Sequence, residues 1–352
     1  VLYALAGTGE VVAWIGVVTA LFAATMALAT FDIKAVLAYS TISQLGYMFV
    51  GVGLGAYSAG IAHLMTHAFF KGLLFLGAGS ALHAMRDELD IRKMGGLSKK
   101  MPLTFWTFLI AACAIAGVPF LSGFFSKDAI LVAAWQHPPI FWIGLATAAL
   151  TAFYMFRLVA VAFLGEPRDY SLYVHVHESP PAMTLPLLAL AVLSAGGGLV
   201  WLGFHESGRF YGFLAEVFHG EGHAGGAGLP FVLTAALWVL GPAFALFGVR
   251  AYVGRSAEAL SQANAVVRVL RRKYYVDELY DVIVVRPVRW VSDRVLWRVV
   301  DVGIIDGLVN FAASVFWVGG SALRMWQTGS VQTYAIAILA GLVALLMGVL
   351  AL

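Results

Sequence analysis

Charge is scarce in this sequence: only 12% of its 352 residues are Asp, Glu, Lys or Arg, whereas an ordinary soluble domain carries about a quarter. With 61% of residues hydrophobic, lipid rather than water is expected to solvate most of the chain. Cysteine is scarcer still. The single one, Cys113, lies within an apolar run and excludes an intrachain disulfide framework or a cysteine metal cluster. Neither a Gly-rich phosphate fingerprint nor a haem-attachment motif occurs, so no redox centre is expected in this chain. A net charge of +3 gives no reason to expect nucleic acid. The chain opens at Val1 with no basic stretch or small-residue cleavage site before its first apolar run. That predicts no signal peptide and a fragment whose beginning lies upstream.

What is present is a series of apolar runs, near 10–30, 35–54, 59–83, 103–136, 139–165, 184–204, 229–253 and 331–352. Each is long enough to cross about 30 Å of hydrocarbon at roughly 1.5 Å per residue. They predict an all-α polytopic membrane protein of about eight transmembrane helices. Numbering the loops alternately puts all but five of the 22 Lys and Arg residues on one side; the exceptions are Lys71, Lys127, Arg157, Arg209 and Arg250. By the positive-inside rule that side is the cytoplasm or mitochondrial matrix.

From 254 to 330 the pattern changes. No continuous apolar run appears, yet Val, Ile, Leu and Trp alternate with Asp and Arg at helical spacing, as in Asp277/Asp281 and Arg294/Arg298. The stretch predicts a long amphipathic lateral helix on the cytoplasmic or matrix side, with bends at Pro287 and at Gly319-Gly320. A loop folded against the chain's own spans is the alternative. Residues 331–352 then anchor the far end.

Three ionisable residues interrupt the third run: in "HLMTHAFFK", His63, His67 and Lys71 are spaced four and four, so they share one helix face. Mid-span charge is costly, about 2.5–3.5 kcal/mol for lysine even on lenient insertion scales, and it is a functional hypothesis by default. Histidine changes charge near neutral pH; together the stripe implies proton relay. Two competing readings are zinc binding by the histidines, which lacks a third ligand, and a lysine that snorkels to an interface.

The run 103–136 exceeds what one span needs, and Pro119 with Gly123 in "AGVPFLSGFFSKDAIL" is expected to break it. Broken helices at membrane depth mark ion sites. Ser126 is the expected N-cap of the second half, with Asp128 in its first turn and Lys127 the functional candidate. The bland alternative is that Lys127 and Asp128 neutralise each other at a helix start. Asp32 and Lys34 lie at the basic border, as a proton entrance or an interfacial ion pair. Ser40, Thr41, Ser43, Gln44 and Tyr47 line a water chain or bind helices together. His83 extends the stripe weakly, the loop histidines 175, 177, 205, 219 and 223 are expected in water, and Gly-rich 220–228 reads as a flexible turn.

The stretches "DIKAVLAYSTISQLGYMF", "HLMTHAFFKGLLFLGAGS", "RKMGGL", "GVPFLSGFFSKDAIL" and "HESPPAMTLPLLALAVL" resemble the antiporter-like subunits of respiratory complex I and their relatives in multisubunit cation/proton antiporters. The later "YYVDELYDVIVVRP", a long segment and one last span look like the distal, largest of those subunits. The resemblance implies that Lys71 is the central proton-carrying lysine, with His63 and His67 beside it on the connecting path. It makes Lys127 the exit-side lysine, with Asp128 next to it, and Asp32 an acidic residue at a helix end. Residues 1–165 then form the second antiporter-like half, whose preceding inverted repeat this chain lacks. Residues 166–253 add two further spans, 254–330 the lateral helix and 331–352 the anchor. The implied activity is proton translocation in NADH:quinone oxidoreductase, in a bacterial inner or a mitochondrial inner membrane; the alternative is the large subunit of a Na⁺/H⁺ antiporter. FMN, iron–sulfur clusters and quinone are expected in partner subunits, and the lateral helix is expected to contact other membrane subunits.

Overall fold

The computed structural model describes residues 7–203, 209–215, 217–218, 231–256, 259–260 and 264–351. Among them every regular element is helical, and the one extended pairing is an isolated bridge between Asp32 and Asp90. The long helices are α1 (Gly9–Ala29), α2 (Ile33–Gly53), α3 (Tyr57–Ala84), α4 (Pro102–Ala116), α5 (Ser122–Ala134), α6 (Pro138–Ala162), α7 (Pro181–Leu202), α8 (Phe231–Tyr252), α9 (Lys273–Arg324) and α10 (Val331–Leu350). Of these, α1, α2, α3, α6, α7, α9 and α10 are long and apolar enough to cross a membrane. The expected long run 103–136 is α4 followed by α5. His205, His219, His223 and all of 220–228 lie outside the described residues; His175 and His177 are exposed.

The chain forms two compact units, Val1–Tyr274 and Tyr275–Leu352. In the first, α1 packs along α2, α3 lies against α2, α4, α5 and α7, and α6 against α1 and α8. Small residues permit the closest approach: a β-carbon on Gly46 would lie 2.5 Å from the carbonyl oxygen of Gly16 and 2.8 Å from Ala20. Without a hydrophobic drive between helices in lipid, such close van der Waals packing holds the pair together.

One end of the unit gathers the basic loops. There Ile91 N–H donates to Phe31 O (2.9 Å), Ile33 N–H to Leu89 O (3.0 Å) and Ser98 N–H to Phe163 O (3.0 Å). Asp90 receives the Arg92 guanidinium at 2.6 Å, and Glu88 pairs with Lys93. Burial pushes Asp90 up, but the Arg92 hydrogen bonds outweigh it and hold the carboxyl below the usual range; the Lys93 bond does the same for Glu88. Groups with depressed folded values stabilise fully above about pH 4 and lose that contribution as pH falls through them. Cleavage of residues 86–94 by an acid-active protease should therefore rise between about pH 4 and pH 2. A flat profile would mean these ties hold nothing.

After a left-handed turn at Lys273–Tyr275, α9 runs through the second unit as one continuous helix from Val276 to Arg324, about 74 Å long if straight, and neither it nor α10 has a buried residue. The helix is amphipathic, as expected, and it ends at neither Pro287 nor the Gly319-Gly320 pair. Gly319 and Gly320 lie in regular α-helix. Pro287 follows a widened π turn at Asp281–Val285, with a second at Ser292–Ile305. Proline lacks an N–H and its ring crowds the carbonyl four residues back; a wider turn accommodates both without ending the helix.

Candidate functional site

The stripe on α3 faces inward. Lys71 stands midway along the helix, is 4% exposed, and donates from Nζ to the carbonyl oxygen of Leu37 on α2 at 2.9 Å. An amine so placed is not snorkelling. His63 is fully buried and bridges two neighbouring helices, with Nδ1 2.8 Å from Ser126 Oγ on α5 and Nε2 3.1 Å from Gln44 Oε1 on α2. Since Gln44 Oε1 can only accept, Nε2 carries a proton, and on a neutral ring Nδ1 then accepts from Ser126. Thr66 Oγ1 joins the same node, 2.7 Å from Ser126 Oγ.

His67 lies between His63 and Lys71. Its ring centre is 6.3 Å from that of His63, with Phe70 edge-on at 5.5 Å. His67 Nε2 finds no protein partner, and neither do Gln44 Nε2, Ser43 Oγ or Ser122 Oγ, all buried. A buried polar atom left unsatisfied costs about 1–3 kcal/mol, and ordered water is its usual partner.

Lys127 is placed by the break. Gly117 (φ +78°) ends α4: its N–H donates to Ala114 O and that of Val118 to Cys113 O, the paired bonds of a Schellman motif. Pro119 follows, and Phe120 (φ +69°) turns the chain so that α5 starts at Ser122. Lys127 Nζ then reaches back to the carbonyl oxygen of Ile115 at 2.8 Å, in the last turn of α4, where orphan carbonyls and the helix dipole favour a cation. The Tyr47 ring lies 5.2 Å from the amine, and the Tyr47 hydroxyl donates to Gly144 O. Lys127 and Asp128 help line a cavity of about 30 Å³, together with Ala116, Gly117, Leu131 and Gly241 among others; that is room for water.

Several expectations need correction. Ser126 does not cap α5. The helix begins four residues earlier without a side-chain cap, which leaves Ser126 inside it and its hydroxyl free to hold His63. Asp128 is consequently in the second turn and lines the cavity. Gly123 lies within α5 and not in the break: a β-carbon there would overlap the Ala114 carbonyl oxygen. Asp32 is the N-cap of α2, its Oδ1 accepting from Ala35 N–H at 2.9 Å. It stands 12 residues from Gln44, about 18 Å along the helix, and is not brought to the stripe. Lys34 is exposed and His83 pairs edge-on with His177. Arg157, which no sequence signal explains, is 1% exposed and donates to Thr30 O (3.0 Å) and Ala27 O (3.4 Å) at the end of α1, between the rings of Phe31 and Tyr252. Among the described residues no three His, Cys, Asp or Glu converge as metal ligands.

Residues 4–152, which contain both buried lysines and both stripe histidines, match the family described as NADH:quinone oxidoreductase/Mrp antiporter, transmembrane. A NAD(P)H-quinone oxidoreductase chain 5 of Picosynechococcus sp. is 40% identical over 93% of this chain and 54% of its own. NADH-quinone oxidoreductase subunit L of Mycobacterium tuberculosis is also 40% identical, over 97% of this chain and 55% of its own. The chain thus spans about half the length of the curated relatives it matches. A chain of the membrane-bound sulfane sulfur reductase, an archaeal respiratory membrane complex, shares the fold with a TM-score of 0.56 at 22% identity, over 96% of this chain and 56% of its own. The chain belongs to the family of antiporter-like membrane proteins that includes NADH-quinone oxidoreductase subunit L and chain 5.

Proposed function

We propose that this chain relays protons through the membrane as a subunit of an NADH:quinone oxidoreductase. The observation that carries the reading is a row of buried polar side chains set between two buried lysines. Lys71 is followed by His67 one turn away, then by His63, whose Nδ1 takes a hydrogen bond from Ser126, the neighbour of Lys127. A single hydrogen bond to a charged group contributes about 1.5–3 kcal/mol, less than the several kcal/mol needed to desolvate an ammonium. A proton held on so few bonds is one that can be handed on. The unpartnered nitrogens of His67 and Gln44 are the places where water completes the wire, and the cavity at Lys127 and Asp128 is the exit station.

Asp32 serves this site by capping the start of α2, and carries no proton in this scheme. The redox groups, FMN, iron–sulfur clusters and quinone, belong in this reading to partner subunits; one cysteine cannot ligate a cluster. The amphipathic helix α9 lies along other membrane subunits on the cytoplasmic or matrix side, and the host membrane is a bacterial or mitochondrial inner membrane. A sodium/proton antiporter is the second reading, because the matched family spans both classes.

The deciding experiment uses the assembled complex in proteoliposomes, with internal acidification followed during quinone reduction in sodium and in choline buffers. Equal acidification in both is expected. Proton movement driven by a sodium gradient with no electron donor present would transfer the chain to the antiporter class.

A further inference from the structure

The motif "HESPP" has no part in the relay, yet its glutamate accepts four hydrogen bonds at the start of the broken helix. Glu178 Oε2 accepts from the backbone N–H of Leu103 at 2.8 Å and of Thr104 at 3.3 Å, and Oε1 accepts from Thr104 Oγ1 at 2.6 Å and Ser179 N–H at 3.3 Å. Leu103 and Thr104 are in the first turn of α4, whose own N-cap position is Met101, a residue with no side-chain acceptor. Glu178, about 75 residues downstream, therefore supplies from a distance the cap that local sequence omits, and its charge lies at the positive end of the helix dipole.

The knot extends to α3. Ser80 Oγ is 2.8 Å from Thr104 Oγ1 and 2.7 Å from Ser179 Oγ. A carboxylate only accepts, so the Thr104 hydroxyl donates to Glu178 and must accept from Ser80, which in turn accepts from Ser179. The result is one polarised chain of hydroxyls ending on the carboxylate. It fastens α3, which bears Lys71, to the start of α4, whose last turn holds Lys127 through the Ile115 carbonyl.

We propose that Glu178 is a positioning residue for the relay: it clamps the first half of the broken helix at its N-terminus, and so sets where the other end meets Lys127. This rests on the transport reading above, though the clamp itself can be measured separately. In the full-length subunit within its assembled complex, Glu178→Ala is expected to raise amide exchange at Leu103 and Thr104 about tenfold or more. Exchange at Gly117 and Val118, at the far end of α4, should rise as well, a response that a local cap would not produce. Pumping per assembled complex falls several-fold. Glu178→Gln, which keeps one acceptor oxygen, recovers a large part of both; a proton-carrying role would leave Gln as impaired as Ala. Unchanged exchange at Gly117 and Val118 in Glu178→Ala overturns the proposal, as does normal pumping by an assembled Glu178→Ala complex. Should Lys71→Ala pump normally, the transport reading fails, and exchange at Gly117 and Val118 alone decides the clamp.

Discussion

Replacing Lys71 by alanine in the full-length subunit of an assembled complex is expected to lower proton transfer through that subunit at least about tenfold, a barrier increase of about 1.4 kcal/mol or more. Quinone reduction should continue. Lys71 is the last group of the stripe, bonded to Leu37 O across the helix pair, and the next titratable side chain is His67, a full turn away. The substitution that separates proton exchange from plain charge is Lys71→Arg. Arginine keeps the positive charge but does not give up its proton in proteins, so it should pump as poorly as alanine. If the charge merely organised packing, arginine would restore function. Stability should run the other way: Lys71→Met removes a buried charge while filling similar volume, and such changes are often neutral or stabilising. Protons moved per quinone reduced, read beside a thermal denaturation midpoint for each variant, test both halves. An alanine variant with full pumping removes Lys71 from the path.

Much of this is legible in the sequence itself. Spans follow from hydropathy because lipid cannot solvate a bare backbone, and the four-and-four spacing of His63, His67 and Lys71 admits one helix face whatever surrounds it. What spacing could not supply was register at the break. Ser122 and Ser126 are both plausible first residues of a helix, and only the two left-handed turns at Gly117 and Phe120 decide for the former. That four-residue difference turns Ser126 from a cap into the hydroxyl that binds His63.

The remaining surprises are long-range. Arg157 satisfies carbonyls about 130 residues away, Glu178 caps a helix from a later loop, and Gln44 was legible as a polar intruder in a span but not as the partner of His63. Periodicity reports which face a residue occupies; it does not report which helix comes to meet that face. In α9 composition marks the proline and the Gly pair but not the widened π turn that lets the helix run on past Pro287, nor the open space around Gly319 and Gly320.

The second large effect should come from a residue with no polar atom in its side chain. Gly123 lies in the first turn of α5 against the Ala114 carbonyl, and an added β-carbon would also come within 3.3 Å of the Phe70 ring. Backbone cannot yield as a flexible side chain can, so Gly123→Val must push α5 away from α4. Overpacking of this kind typically costs about 1–3 kcal/mol in stability. The functional loss should be greater, because the displacement acts on two contacts at once: Lys127 Nζ to Ile115 O and Ser126 Oγ to His63 Nδ1, at 2.8 Å each. A shift of about 1 Å at a positioned group can cost a factor near 100, so pumping should fall well over tenfold in a complex that still assembles. Gly79→Ala on α3 is the matched control. Its β-carbon would meet nothing within 4 Å, and alanine is the better helix former by up to about 1 kcal/mol, so that variant should pump normally with equal or higher thermal stability. If Gly123→Val pumped as well as Gly79→Ala, the close contact of the two half-helices would be irrelevant to the relay, and Lys127 would not depend on the α4 terminus for its position.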